Sequence, residues 1–302
     1  MEIFDLKTMA KCEIKENTIV ALGTFDGCHL GHASVFQNAF YESKKRGVKS
    51  VAYTFDTLVK SDKKSLFTLE EKIKHIKKYG IDYIAIESFE KIKDMSGEAF
   101  FEKILLKELK SIGACCGFNY RFGTGANCTA ENLKELYQKS GGSVVISPKI
   151  MAKDTPLSST YLRSLVENGE VELLSSYMPP YSVYAKVQQG KRLGRTIGFP
   201  TITQQIPSEK VIPKRGVYIT ESYIGENAIP SITNVGVRPT VDGKDAEINM
   251  ETYIMGFEGN LYMSYVQVVF RKFLREEIKF DSLEKLTEQI SKDLEEAKGF
   301  FR

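Results

Sequence analysis

Two different periodicities divide this chain. Up to about Ser147, short β-branched or aromatic runs alternate with helical-period stretches. The strand candidates are Thr18–Leu22, Lys49–Phe55, Tyr83–Ile86, Gly113–Phe118 and Ser143–Ile146. Between them fall helical candidates at Gly31–Arg46, Leu69–Tyr79, Gly97–Lys110 and Ala130–Lys139. Parallel neighbours need long crossovers, which helices supply, so this alternation predicts an open α/β parallel sheet. Ser158-Ser159-Thr160 then gives a helix-start signal, with a helix to about Asn168 and a second short one before Pro179-Pro180.

Beyond that proline pair the texture changes. Tyr181–Val187, Gly216–Glu221, Ser231–Val235, Ile248–Ile254 and Tyr265–Phe270 read as strands, punctuated by turns such as Asp242-Gly243 and Glu258-Gly259-Asn260. A small antiparallel barrel is expected, closed by a helix over Ser282–Lys298, where Leu283, Leu286, Ile290 and Leu294 recur at helical spacing. The expected domains are therefore residues 1–178 and 179–302.

At 302 residues with 42% hydrophobic and 27% charged side chains, the chain can build two ordinary cores without disulfides, and wholesale disorder is excluded. A net charge of +3 over this length is too small for a duplex-binding surface. The expected partners are small molecules, with neither nucleic acid nor membrane among them; protein partners stay open. No apolar run approaches the ~18 residues that cross a bilayer, and Met1 to Lys15 is studded with charge, so a cytoplasmic location is expected. The five cysteines (Cys12, Cys28, Cys115, Cys116, Cys128) contain no Cys-x-x-Cys pair and are expected to be reduced thiols; Cys28, beside His29, is a candidate for oxidation sensitivity.

Two of the three histidines stand within four residues, in Gly23-Thr24-Phe25-Asp26-Gly27-Cys28-His29-Leu30-Gly31-His32. Ligands of an open parallel sheet bind at the carboxyl ends of its strands, where the next helix aims amide donors at them. There Gly23 and Gly27 let the backbone approach a phosphate, and His29 and His32 offer two imidazoles to a polyphosphate as it gains charge. The string resembles the G-x-F-D-G-x-H-x-G-H signature of the nucleotidyltransferase superfamily, in the form found in bacterial bifunctional riboflavin kinase/FAD synthetases. That resemblance implies that His29 and His32 bind ATP phosphates and stabilise adenylyl transfer, with Gly23, Phe25, Asp26 and Gly27 in the same ATP site.

Three further segments of the first half bear on this site. Leu157-Ser158-Ser159-Thr160-Tyr161-Leu162-Arg163 is a hydroxyl-rich helix start followed by a guanidinium one turn on, a polyphosphate clamp on physical grounds, and it resembles the family's I-S-S-T-x-I-R element. Gly117-Phe118-Asn119-Tyr120-Arg121-Phe122-Gly123 resembles the family's G-x-D/N-F-R-F-G segment, implying that Asn119 and Arg121 lie beside flavin and nucleotide. In that segment Tyr120 or Phe122 suits packing on a flat ligand. Asp56 follows Phe55 much as in the family's T-F-D-P-H-P stretch, although Thr57, Leu58 and Val59 replace the rest, and it is a further ligand candidate.

In the second half, Gly190-Lys191-Arg192-Leu193-Gly194-Arg195-Thr196-Ile197-Gly198-Phe199-Pro200-Thr201 offers glycines for a phosphate cradle, basic residues to offset its charge and a hydroxyl suited to magnesium. It resembles the riboflavin kinase signature G-x-x-x-G-R-x-x-G-F-P-T-x-N. The resemblance implies ATP binding by Gly190, Lys191, Gly194, Arg195, Gly198 and Pro200, with Thr201 and Thr203 as the Mg²⁺ contacts. Thr203 stands where the family has asparagine, and Gln189 where a histidine is common. Asn234-Val235-Gly236-Val237-Arg238-Pro239-Thr240 and Met250-Glu251-Thr252-Tyr253-Ile254 resemble two more family segments, the second implying that Glu251 is the base for the ribityl hydroxyl. Leu274-Arg275-Glu276-Glu277-Ile278-Lys279-Phe280 resembles the family's L-R-x-E-x-K-F run and reads mainly as architecture.

The resemblance covers roughly Val20 to Lys298 and implies a Rossmann-like α/β nucleotidyltransferase domain followed by a β-barrel riboflavin kinase domain with a C-terminal helix. It implies two reactions: riboflavin and ATP give FMN and ADP, then FMN and a second ATP give FAD and pyrophosphate. The alternatives weighed are a monofunctional FAD synthetase whose barrel holds flavin without phosphorylating it, suggested by Thr203 and Gln189, and a non-enzymatic flavin or nucleotide sensor.

Overall fold

The structure, a computed structural model, describes residues 1–6, 14–56, 63–190, 193–238 and 247–302. Cys12, Thr57, Leu58, Val59, Lys191, Arg192, Pro239, Thr240 and the Asp242-Gly243 turn lie outside these. The chain divides into two compact units, Met1–Tyr161 and Leu162–Arg302, so the division falls inside the helix Ser159–Asn168.

The first unit holds a six-stranded, all-parallel sheet. Its strands are β1 (Glu2–Asp5), β2 (Thr18–Leu22), β3 (Lys49–Phe55), β4 (Tyr83–Glu87), β5 (Ser111–Gly117) and β6 (Ser143–Ser147), in the order β1-β4-β3-β2-β5-β6. All of β2 is buried, as expected of a central parallel strand covered on both faces. Because β3 pairs on one side of β2 and β5 on the other, the order reverses at β2, and a crevice opens at the carboxyl ends of β2 and β5.

Helix α1 (Leu30–Arg46) follows β2; Lys44, Lys45 and Arg46 meet the negative end of its dipole, and Gly47 at φ 66° ends it in the left-handed region. Helix α2 (Leu69–Lys77) starts on a reciprocal capping box between Thr68 and Glu71 and ends two residues short of the expected Tyr79. The expected helix over Gly97–Lys110 is instead an α-helical turn, Gly97–Phe100, that widens into a π-helix over Phe101–Glu108. Helix α3 (Ala130–Lys139) matches its expected bounds. The short edge strand β1, which has no alternating or apolar run to mark it, was not among the sequence expectations.

The second unit is a closed antiparallel barrel of six strands rather than the five expected. They are β7 (Ser182–Gln188), β8 (Thr201–Gln205), β9 (Gly216–Ile224), β10 (Asn227–Arg238), β11 (Glu247–Ile254) and β12 (Tyr265–Arg275), ordered β7-β8-β11-β10-β9-β12. The additional strand β8 is polar (Thr-Ile-Thr-Gln-Gln) and was absorbed into the phosphate-loop reading. Thr220, Ser222, Ser231, Thr233 and Thr252 are fully buried and bond to one another across β9, β10 and β11 at 2.8–3.0 Å. On the opposite face, Ile219 and Ile232 pack against Leu294 and Ala297 of helix α4 (Leu283–Phe300). Helix α4 is pinned by Asp293, whose carboxylate accepts from Arg275 Nε and Nη2 at 2.7–3.1 Å and from Gln289 at 2.8 Å.

Candidate active site

A cavity of about 550 Å³ opens where the first sheet reverses. Gly23, Phe25, His29, His32, Asn119, Arg121, Ser158 and Ser159 all line it, so segments expected to act together do meet. The histidine pair is the best-defined feature. His29 is the N-cap of α1, and its Nδ1 accepts the Gly31 amide at 3.1 Å. The remaining ring proton therefore sits on Nε2. The His29 and His32 rings stack at 3.6 Å between centroids and 20° between planes. Gly31 makes this possible: a Cβ there would come within 3.0 Å of the His29 ring.

Burial decides the charge of both imidazoles. It pushes His29 down to about 4, and it holds His32 well below the usual histidine range, helped by the neighbouring His29 and Lys72 charges. The pair is thus neutral at physiological pH and acts by hydrogen bonding, not as a double cation. His32 Nδ1 and the Tyr53 hydroxyl are buried without a hydrogen-bond partner among the described residues.

Other expected ligands are turned to different work. Asp26 is 1% exposed, does not line the cavity, and its Oδ1 accepts the amides of Leu66 at 2.9 Å and Phe67 at 3.3 Å. It ties the loop after β2 to the approach to α2. Ser159 Oγ donates to the Asp26 carbonyl at 3.1 Å. Gly27, at φ 79°, is a turn residue outside the lining, and Thr160 accepts from Lys63 at 3.4 Å instead of facing the cavity. Asp56 follows β3 without lining the cavity, and Arg163 stands on the helix Ser159–Asn168 within the second unit. Cys28 is sealed: 1% exposed, its thiol donating to the Phe25 carbonyl and pushed up to about 12 by burial. That removes the proximity argument for oxidation sensitivity.

Part of the lining is an aromatic cluster. Tyr53, Phe55, Phe89, Phe100, Tyr120 and Phe122 form it, with Tyr120 and Phe122 stacked at 5.8 Å and 17°. Tyr120 and Phe122 were expected there; Phe55, Phe89 and Phe100 were not, since aromatic residues at strand ends and helix starts read equally well as core.

A second cavity, of about 240 Å³, lies on the outer wall of the barrel beside α4. Gly194, Thr201, Asn234, Glu251, Glu277 and Asp293 are among its lining residues. Pairing places Glu251 between Thr203 of β8 and Asn234 of β10. Asn234 Nδ2 donates to Glu277 at 3.4 Å, so a residue read as architecture belongs to the site. Gly190 faces Thr203, whose Oγ1 lies 2.3 Å from where a Cβ on Gly190 would stand. Thr203 is 5% exposed and outside the cavity lining. Gly198 turns at φ 83°, Pro200 borders a smaller hollow with Thr201, and Arg195 is placed by its backbone in the short helix Leu193–Thr196.

Comparison with known proteins accounts for both units. A family model described as FAD synthetase matches residues 11–161, and one described as riboflavin kinase matches 177–301. The bifunctional riboflavin kinase/FMN adenylyltransferase of Buchnera aphidicola is 32% identical over 96% of both chains. The chain belongs to this bifunctional family. The enzyme of the same description from Escherichia coli is 30% identical over 95% of this chain and 94% of its own, and that of Bacillus subtilis 29% over 96% and 94%. A solved structure described as the macrolide-efflux protein of Streptococcus pneumoniae superposes with a TM-score of 0.88 at 26% identity, covering 98% of each chain. In this chain no helix among the described residues is long and apolar enough to cross a membrane. With both of the family's domains present, the chain is an ATP-dependent transferase of flavin cofactor synthesis, and the bifunctional reading is favoured over the single-activity and sensor alternatives.

Proposed function

We propose that residues 179–302 phosphorylate riboflavin in the cavity beside α4 and that residues 1–178 adenylylate FMN in the cavity at the sheet reversal. The matched regions 11–161 and 177–301 support this division. The observation that carries the adenylyl assignment is the stacked histidine pair at the carboxyl end of β2, with its Nε2 proton free of the cap bond.

In the adenylyl step an oxygen of the FMN phosphate attacks the α-phosphorus of ATP, the bond to the β-phosphate breaks, and pyrophosphate leaves. FMN phosphate is already ionised, so no base is needed. Charge grows on the phosphate oxygens, and preorganised donors in a water-poor site act on that growth. We assign His29 Nε2–H and His32 to these oxygens, the Ser158 hydroxyl to the same polyphosphate, and Asn119 and Arg121 to flavin or nucleotide edges; the Ser159 proton is already given to the Asp26 carbonyl. The aromatic cluster in the lining suits the flat isoalloxazine. Asp26 serves this site by holding the loop, not by touching ATP.

In the kinase step the ribityl hydroxyl attacks the γ-phosphorus, its proton passes to Glu251, and ADP leaves. Of the two threonines expected to contact Mg²⁺, Thr201 lines the cavity and offers a hydroxyl oxygen of the kind Mg²⁺ prefers, while Thr203 is buried under Gly190; one hydroxyl suits an ion that takes most of its ligands from phosphate and water, and Glu251 is kept for the proton. When bound, Mg²⁺ would neutralise charge on the transferred phosphoryl group. Reduced Cys28, Cys115, Cys116 and Cys128 support a cytoplasmic site of action on small-molecule substrates.

The test is separation of activities. His29→Ala is expected to abolish FAD formation from FMN and ATP while FMN formation from riboflavin continues; Glu251→Gln is expected to do the reverse. Chromatography of the flavins reads both, and equal loss of the two products in either folded variant would refute the two-site assignment.

A further inference from the structure

Beneath the histidine loop lies a cation that the steps above do not use. Lys72 of α2 is 4% exposed, and burial pulls its pKa down while Asp26, Cys28 and Asp56 hold it up. Its Nζ donates to the Phe55 carbonyl at 2.9 Å and to the Thr54 hydroxyl at 3.4 Å. Thr54 Oγ1 donates onward to the Thr24 carbonyl at 3.0 Å. An ammonium, a hydroxyl and a carbonyl thus form one buried line from α2 through the end of β3 to the loop that carries His29. Each bond in such a line polarises the next.

That loop needs holding. Phe25 at φ 51° and Cys28 at φ 41° occupy left-handed backbone that side chains other than glycine rarely adopt, and such strain persists only where the surroundings over-determine it. The restraints are Lys72 through Thr54 at Thr24, the Leu66 and Phe67 amides at Asp26, and Ser159 at the Asp26 carbonyl. His29 is the residue directly after Cys28.

We propose that Lys72 is a positioning residue for adenylyl transfer: acting through Thr54 and the end of β3, its buried ammonium locks the loop 23–28 so that the stacked His29–His32 pair meets the nucleotide phosphates. The proposal rests on the assignment of that pair to ATP phosphates.

The test uses the full-length chain, with FAD formation from supplied FMN and ATP measured across pH in Lys72→Met, Lys72→Arg, Thr54→Val and His29→Ala. Lys72→Met is expected to lower kcat about 10–100-fold, a range taken from the loss of groups that orient metal-binding histidines, and Lys72→Arg to recover most of it. A second readout separates positioning from mere loss of folded protein. His32 is surrounded by His29 on its own helix and Lys72 on α2, with Asp26, Cys28 and Asp56 around the ammonium. Removing the Lys72 charge therefore lets His32 protonate more readily, so the acid limb of FAD formation moves to higher pH in Lys72→Met and not in Lys72→Arg. If Lys72→Met does not fold, Thr54→Val decides, since it keeps the ammonium and removes only the relay hydroxyl: a fall in kcat supports the proposal and an unchanged kcat overturns it. A folded Lys72→Met with wild-type kcat and acid limb also overturns it. Survival of FAD formation in His29→Ala would instead remove the underlying assignment of the pair.

Discussion

The neutral, buried His29 has a consequence for stability that can be worked from the structure. Its ring is held at about 4 against an ordinary 6.5. A group whose folded pKa is depressed contributes stability above its unfolded pKa, and that stability fades as pH falls from the unfolded value toward the folded one. Here the window runs from 6.5 down to about 4. Between pH 7.5 and pH 5 the linkage relation gives a loss of about 2 kcal/mol from His29 alone, and His32, depressed in the same direction, adds to it. All three histidines lie in the first unit, so the barrel lacks this term. The assay is hydrogen exchange by peptide, normalised for intrinsic rates, at pH 7.5, 6 and 5: protection in β2 and β5 should fall by about the linkage amount while β9 and β12 change less. The cleaner comparison is His29→Asn. Asparagine is a good N-cap and can still accept the Gly31 amide, but it does not titrate. Its first unit should lose about 2 kcal/mol less than wild type over the same interval. An identical pH dependence in wild type and His29→Asn would show that the buried imidazole does not carry the effect.

Two further outcomes follow from buried groups. Cys28, with its thiol pushed up to about 12, exposes a thiolate fraction below about one in ten thousand at pH 7.5, so a thiol-blocking reagent should leave FAD formation intact; loss of activity in step with labelling of Cys28 would contradict this. Asp293→Ala leaves the Arg275 guanidinium, whose side chain is 19% exposed against 6% for Asp293, without its carboxylate, and should cost the barrel about 3 kcal/mol in urea unfolding and, as both residues line the cavity proposed for the kinase step, raise the riboflavin KM. A cost under about 1 kcal/mol would mean that the pair is effectively solvated.

Much of this molecule was legible in its residue order, and the reason lies in local constraint. Thr18–Leu22 and Lys49–Phe55 are strands to the residue, because short runs rich in β-branched and aromatic side chains, bounded by turn or charged residues, leave little choice. Pairs of residues such as His29 and His32, one helical turn apart, are certain to be neighbours once a helix starts beside them. The same local view missed what depends on backbone hydrogen-bond register: the π-helix Phe101–Glu108 has a composition that an α-helix would accept equally well.

The roles of individual polar residues were a different matter. Asp26 sits inside a ligand-binding motif, yet its carboxylate is claimed by amides 40 and 41 positions away. Glu277 reads as framework and stands in the cavity beside α4, reached from Asn234 across 43 positions of chain. Lys72 shows nothing in sequence beyond a lysine on an amphipathic helix; only the packed sheet puts it under the histidine loop. The residue order by itself therefore determined most of the elements, though not β1, β8 or the π-helix, and their division into a parallel sheet and a barrel. Which side chains line a cavity and which hold the others in place was decided by tertiary structure alone, because a loop has no period to orient its side chains and a buried polar group takes whatever partner the fold brings within reach.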